Sequence, residues 1–179
     1  MRYPGQAALV VAVAAGVLGA LASAGAAGVR WNATASMPRG LWTVAPVGGA
    51  VQRGDTVAVC PPEVVAVQEA GRRGYIPAGG CAGGLEPLVK PVAAIAGDVV
   101  TVSESGIAVN GAPVLNTVSL ARDSAGRPLR PFPAGVYAVA PGQLWLLSGH
   151  DPRSFDSRYF GPVPVGNVRG VAHPLWVAG

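Results

Sequence analysis

Lysine is nearly missing from this 179-residue chain: Lys90 is the only one, and the rest of the positive charge comes from twelve arginines. Charged residues make up 12% of the sequence and aromatics 6%, with two histidines and two cysteines. His150 and His173 show no ligand spacing with Cys60 and Cys81, so no metal site and no cofactor is expected. A basic stripe is also lacking. The net charge of +4 is spread over scattered arginines, with Arg72-Arg73 the only adjacent pair, which argues against nucleic acid as a partner. Dispersed arginine instead suits solubility or contact with anionic lipid head groups. No internal repeat is present, and seventeen prolines oppose a helical bundle.

What is present begins with an uncharged run. From Ala7 to Val29 no charged residue occurs, and Arg2 and Arg30 bracket the stretch. At about 1.5 Å per residue such a helix reaches across a ~30 Å hydrocarbon core. The division expected is a short cytoplasmic N-terminus (1–6), a transmembrane anchor (7–29) and an extracytoplasmic domain (30–179). A cleaved signal peptide is the alternative, because Ala20-Leu21-Ala22 and Ala22-Ser23-Ala24 both resemble cleavage sites. The length of the apolar run, beyond the usual ~7–15 residues, favours the anchor. Small residues at Ala12, Gly16, Ala20, Ala24 and Gly28 suit helix packing, although so Ala-rich a segment produces such spacing by chance.

Beyond Arg30, short apolar runs broken by Gly, Pro, Asn and Asp read as strands and turns. Strands are expected at 56–59, 99–102, 107–109, 136–139, 143–147 and 168–172, with one short helix over Glu63 to Gly71. The fold class predicted is a compact, mainly β domain carrying one N-terminal transmembrane helix. Cys60 and Cys81 lie past the anchor, which fits an oxidising compartment. A bridge closing that loop stabilises by about 3 kcal/mol in the chain-entropy model; two free thiols are the other reading. The cysteine loop and 116–133, rich in Arg, Pro and Gly, are the flexible segments expected.

Two residues stand out chemically. Lys90 sits in the apolar stretch Pro87-Leu88-Val89-Lys90-Pro91-Val92-Ala93-Ala94-Ile95. A lysine desolvated there loses its proton near neutral pH and acts as a base, whereas arginine does not. The plainer reading is an ordinary snorkelling lysine. Ser36 precedes Met37-Pro38, and proline confines the residue before it to extended or turn geometry. It reads either as a positioned nucleophile or as a loop residue, and Trp31 and Trp42 as interfacial anchors.

The order Ser36-Met37-Pro38, Arg53-Gly54-Asp55, Lys90 with Gly97-Asp98, then Ser154-Phe155-Asp156-Ser157-Arg158 resembles the signal peptidase I superfamily of Ser/Lys peptidases. The run Asn32 to Leu41, the flanking Cys60 and Cys81, and Ser154 to Val163 make it more similar to the TraF-type conjugative transfer branch. So do the departures from bacterial signal peptidases: Pro91 after the lysine, His150 in place of a box aspartate, and one residue fewer between Met37 and the proline. The resemblance implies a signal-peptidase-like fold, Ser36 as nucleophile and Lys90 as general base. It implies Thr34 with the Ser36 amide as oxyanion hole, Ser154 orienting the lysine, and Asp156 with Arg158 as a supporting ion pair.

The function so implied is a serine endopeptidase of the bacterial inner membrane, single-pass, with its catalytic domain on the periplasmic side. Its partners are membrane lipid, a precursor substrate such as a pilin, and components of a transfer or secretion apparatus. The acyl-enzyme is released by water or by an amine of the same chain, closing a ring. Val89, Pro91, Val92 and Ile95 are expected to supply the apolar surround of Lys90. Three rival readings are a general type I signal peptidase, an inactive membrane-anchored scaffold, and a Ser-His-Asp hydrolase using His150 or His173.

Overall fold

A computed structural model describes residues 4–26 and 28–177. Helix α1 spans Pro4–Ala26. Gly28, at φ +78°, stops it: its N–H donates to the Gly25 carbonyl at 3.1 Å, a left-handed exit that glycine makes without a Cβ penalty. Strand β1 then begins at Val29 (Val29–Asn32), so the C-terminal end of the expected 7–29 anchor is not helical. Leu9, Val10, Val11, Val13, Val17 and Leu18 of α1 are all exposed. Among the described residues no helix is long and apolar enough to cross a membrane; much of α1 is alanine and glycine, which add little apolar surface.

The chain continues through β2 (Gly40–Ala45), β3 (Thr56–Val59), helix α2 (Val65–Arg72) and β4 (Leu88–Ala94). Next come β5 (Val99–Ser103), β6 (Gly106–Val109), β7 (Ala112–Pro113), β8 (Gly135–Ala138) and β9 (Gln143–Leu146). A short helix α3 (Ser157–Phe160), β10 (Val163–Pro164) and β11 (Val168–Val177) complete it. The mainly β expectation holds. Seven strands form one sheet in the order β1-β2-β11-β3-β4-β9-β10, and four form a second in the order β7-β6-β5-β8, with antiparallel pairing throughout.

Two apolar clusters sit on these sheets. Val57, Val59, Val92, Leu144 and Leu146 pack with Val67 and Ala70 of α2, while Val100, Val102, Ile107 and Val109 pack around Trp145. A third, smaller cluster of Met37, Trp42 and Ala172 pins the turn between β1 and β2. Trp42 is only 3% exposed and donates its indole N–H to the Pro38 carbonyl at 3.0 Å, so it is a core residue and not the interfacial anchor expected; Trp31 is exposed.

Leu88–Ala94 is absent from the strands expected above, yet β4 lies inside the larger sheet between β3 and β9. Its burial alternates, putting Lys90, Val92 and Ala94 on the covered face. The register with β9 shifts between Val92 and Ala94, next to Pro91, which has no N–H to give to a ladder. Cys60 and Cys81 are disulfide-bonded, with Cα atoms 5.5 Å apart, closing the loop that carries α2.

Candidate active site

Asn32 ends β1 and organises the turn after it. Its amide donates to the carbonyls of Thr34, Met37 and Pro38 at 3.1, 3.1 and 3.0 Å, and its Oδ1 accepts from the Thr34 N–H at 3.2 Å. The Thr34 hydroxyl donates to the same Oδ1 at 2.9 Å and lies 3.1 Å from Ser36 Oγ. A hydroxyl has one proton to give, so in this arrangement Ser36 is the donor toward Thr34. The residue after Ser36, buried Met37, is fastened in the third cluster, leaving Ser36 half-buried at the lip of a cleft.

That cleft, about 390 Å³, is lined by Thr34, Ser36, Lys90 and Ser154 among others. Lys90 is 3% exposed and donates to Ser154 Oγ at 3.0 Å. Burial removes water from its ammonium and lowers its pKa from the ordinary 10.5 to about 8; Asp156 and Asp151 pull the other way, and Arg158 adds to the fall. Ser36 Oγ and Lys90 Nζ share no hydrogen bond among the described residues; each is held by another hydroxyl.

The apolar surround differs from the one expected. Alternation along β4 turns Val89 and Pro91 away from Lys90, and Ile95 lines a different cavity near Val51 and Leu144. Ile76, Leu88, Leu120 and Phe155 share the cleft with the lysine instead. Ile76 and Phe155 come from segments distant in sequence, brought there by the disulfide-closed loop and the approach to α3.

Asp156 and Arg158 are fully buried and joined by two hydrogen bonds, Arg158 Nε to Oδ1 at 2.8 Å and Nη2 to Oδ2 at 2.9 Å. Asp156 also caps α3 by accepting the Arg158 N–H at 3.2 Å. The remaining guanidinium donors go to the carbonyls of Asn116, Pro152 and Ser148. Ser148 was outside the site inferred from sequence. It is fully buried, its N–H donates to Asp156 Oδ2 at 3.0 Å, and its hydroxyl donates to the Ser36 carbonyl. One hydrogen-bonded framework thus reaches the Ser36 turn through Ser148, while Ser154 in the same segment holds Lys90. The only sequence signal for Ser148 was its place just before Gly149-His150, six residues ahead of the last box.

The other boxes meet each other rather than the cleft. Arg53 pairs with Asp98, which also accepts from Asn110 at 3.0 Å and from the Ile95 N–H at 2.9 Å, tying the turn before β3 to the turn after β4. Neither His150 nor His173 lines the cleft. Among the described residues no cluster of three or more His, Cys, Asp or Glu is placed to hold a metal.

Residues 3–176 match the family model for signal peptidase, peptidase S26. A conjugal transfer protein TraF of Agrobacterium fabrum is 42% identical over 98% of this chain and 94% of its own length. A probable conjugal transfer protein TraF of Sinorhizobium fredii is 40% identical over 88% of the chain and 82% of its own. A plasmid transfer protein TraF of Escherichia coli is 39% identical over 91% and 92%. A crystallised signal peptidase I of Enterococcus faecalis overlaps 69% of this chain and 97% of its own at 23% identity, with a TM-score of 0.37. With its family model running through the Ser36 turn, Lys90 and the last box, the chain belongs to the signal peptidase S26 family.

Proposed function

We propose that the protein is a membrane-anchored Ser/Lys endopeptidase that processes exported precursors, most specifically pilin-type substrates of a conjugative transfer system. The observation that carries the chemistry is a lysine, buried and with its pKa down at about 8, in one cleft with Ser36. Ser36 Oγ attacks the scissile carbonyl as neutral Lys90 takes its proton. The Thr34 hydroxyl and the Ser36 N–H stabilise the oxyanion; Thr34 must first turn from Asn32 to do so. Lys90 then protonates the leaving amine as the C–N bond breaks, leaving an ester on Ser36. Water releases an acid, or an amine of the same chain closes a ring. Ser154 orients Lys90, and Asp156 with Arg158 supports that segment.

The narrow substrate class is supported by the relatives, whose names all speak of conjugal or plasmid transfer. Their names also support transfer-apparatus components as partners. The uncharged run from Ala7 and the exposed leucines and valines of α1 support a single-pass anchor, with 1–6 on the cytoplasmic side. The disulfide supports an extracytoplasmic, periplasmic domain from residue 30 onward.

Processing of a pilin precursor in membranes, read by intact mass for the parent, Ser36→Ala and Lys90→Ala, tests the proposal. Both variants are expected to leave the precursor uncut. A product one water lighter than the linear fragment means ring closure, and the linear mass means hydrolysis. Processing by either variant overturns the dyad and favours a scaffold role.

A further inference from the structure

Beside the cleft lies a larger cavity of about 610 Å³, in the range of ~300–1,000 Å³ typical of ligand clefts. Val65 and Ala66 of α2 form one side, and Leu129 with Phe132 of the long loop before β8 the other. Tyr75, Phe155 and Tyr159 line both this cavity and the cleft, as Leu129 does. Phe155 stacks on Tyr159 with centroids 5.4 Å apart and meets the Tyr75 ring edge-on at 5.8 Å. A chain poor in aromatics thus spends four of its eleven on this one cavity. The rings of Tyr75, Phe155 and Tyr159 form the partition next to Ser154, which holds Lys90.

The charges around the cavity are mostly committed to each other. Glu69 accepts from Arg72 and Arg73 at 2.9 and 2.6 Å, and Arg73 also donates to the Pro128 carbonyl at 2.8 Å. The loop is pinned where it crosses: Asp123 accepts from the Tyr75 hydroxyl and from Arg127 at 2.6 Å. What remains is an ordered, largely apolar recess opening beside the reacting groups.

We propose that this recess is a substrate subsite that takes a bulky apolar or aromatic side chain of the precursor, at a position removed from the cleaved bond. It rests on the peptidase reading, and its occupant is the substrate chain itself because the walls are continuous with the cleft that holds Ser36 and Lys90. An aromatic or large aliphatic side chain gains from burial against the three rings; of the lining charges Glu69 and Arg73 are paired with each other, so an acidic side chain would meet only the exposed Arg130.

The test uses the full chain in detergent micelles and a proteome-derived peptide library, with cleavage sites read by mass spectrometry. The parent is expected to favour Phe, Tyr, Trp, Leu or Met at one distal position by about tenfold, the scale on which apolar pockets discriminate. Ala66→Trp, which fills the recess, and Val65→Trp, which starts from an exposed position and spares the fold, are expected to erase that preference. Unfolding midpoints identify a variant that has lost its fold, and the other then decides. No distal preference in the parent, or the same preference in the folded variants, overturns the subsite. If the parent cuts nothing, or Ser36→Ala cuts equally, the peptidase reading itself fails.

Discussion

The lysine amine that titrates near pH 8 fixes the direction of two pH effects. In the proposed mechanism the base is the neutral amine, so kcat/KM on a precursor is expected to rise about tenfold per pH unit below 8 and level off above it. Lys90→Arg is expected to be as inactive as Lys90→Ala, since a guanidinium does not accept the proton; a steady-state assay of the two variants checks both points. For stability, the unfolded chain holds the Lys90 proton up to about 10.5 and the folded one only to about 8, so the unfolded state binds more protons in that window. This group's contribution therefore improves as pH rises through the window, and below it the full desolvation cost is present. Lys90→Met is accordingly expected to raise the unfolding free energy at pH 7 by about 1–4 kcal/mol, measured by denaturant titration. On the other side of the cleft, Thr34→Val is expected to slow acylation of Ser36 by about 100-fold with the fold intact, read by single-turnover kinetics. Ser148→Ala leaves the Ser36 carbonyl without its hydroxyl donor. A fall in kcat larger than any change in KM, rescued in part by Ser148→Thr, is the result expected.

Strands and loops carry different shares of the site. β4 is rigid, central and paired on both sides, and it delivers Lys90; the Ser36 turn is held by Asn32 and Met37 instead. The segment closed by Cys60 and Cys81 carries α2, Tyr75 and Ile76, two of which line the cleft. Reduction is expected to remove about 3 kcal/mol in the chain-entropy model and to open residues 61–80 to limited proteolysis while the sheets persist. Around α3 the buried Asp156–Arg158 pair leaves no room for half of itself. Asp156→Ala strands a guanidinium and is expected to cost about 3–5 kcal/mol, seen in thermal unfolding. Several elements were readable from pattern: 56–59, the hairpin of β5 and β6, and the strands near 136, 143 and 168. The helix expected from Glu63 lies at Val65–Arg72. β4 was not readable, because a strand with a proline at its centre departs from strand pattern and gains its place from partners 29 or more residues away, such as Val57 at Lys90.

As a whole the molecule joins an exposed apolar helix to a folded β domain whose cleft shares a wall with one neighbouring recess. Carbonate extraction of membranes checks the proposed anchor: the chain is expected in the pellet, and a version beginning after Gly28 in the soluble fraction. Charge, apolar runs and the order of the Ser36, Lys90 and last boxes are properties of the chain in one dimension, and they sufficed to identify the family and to single out Ser36 and Lys90. The same one-dimensional reading misplaced the lysine's apolar surround, kept Trp42 at the interface and left the cysteines open between thiol and bridge. Burial belongs to the packed chain. Only the folded sheets desolvate Lys90, bring Cys81 to Cys60 across 21 residues, and carry Ser148 to the Ser36 carbonyl across 112. Solvent exclusion and long-range contact arise from which faces meet, and no local pattern encodes that.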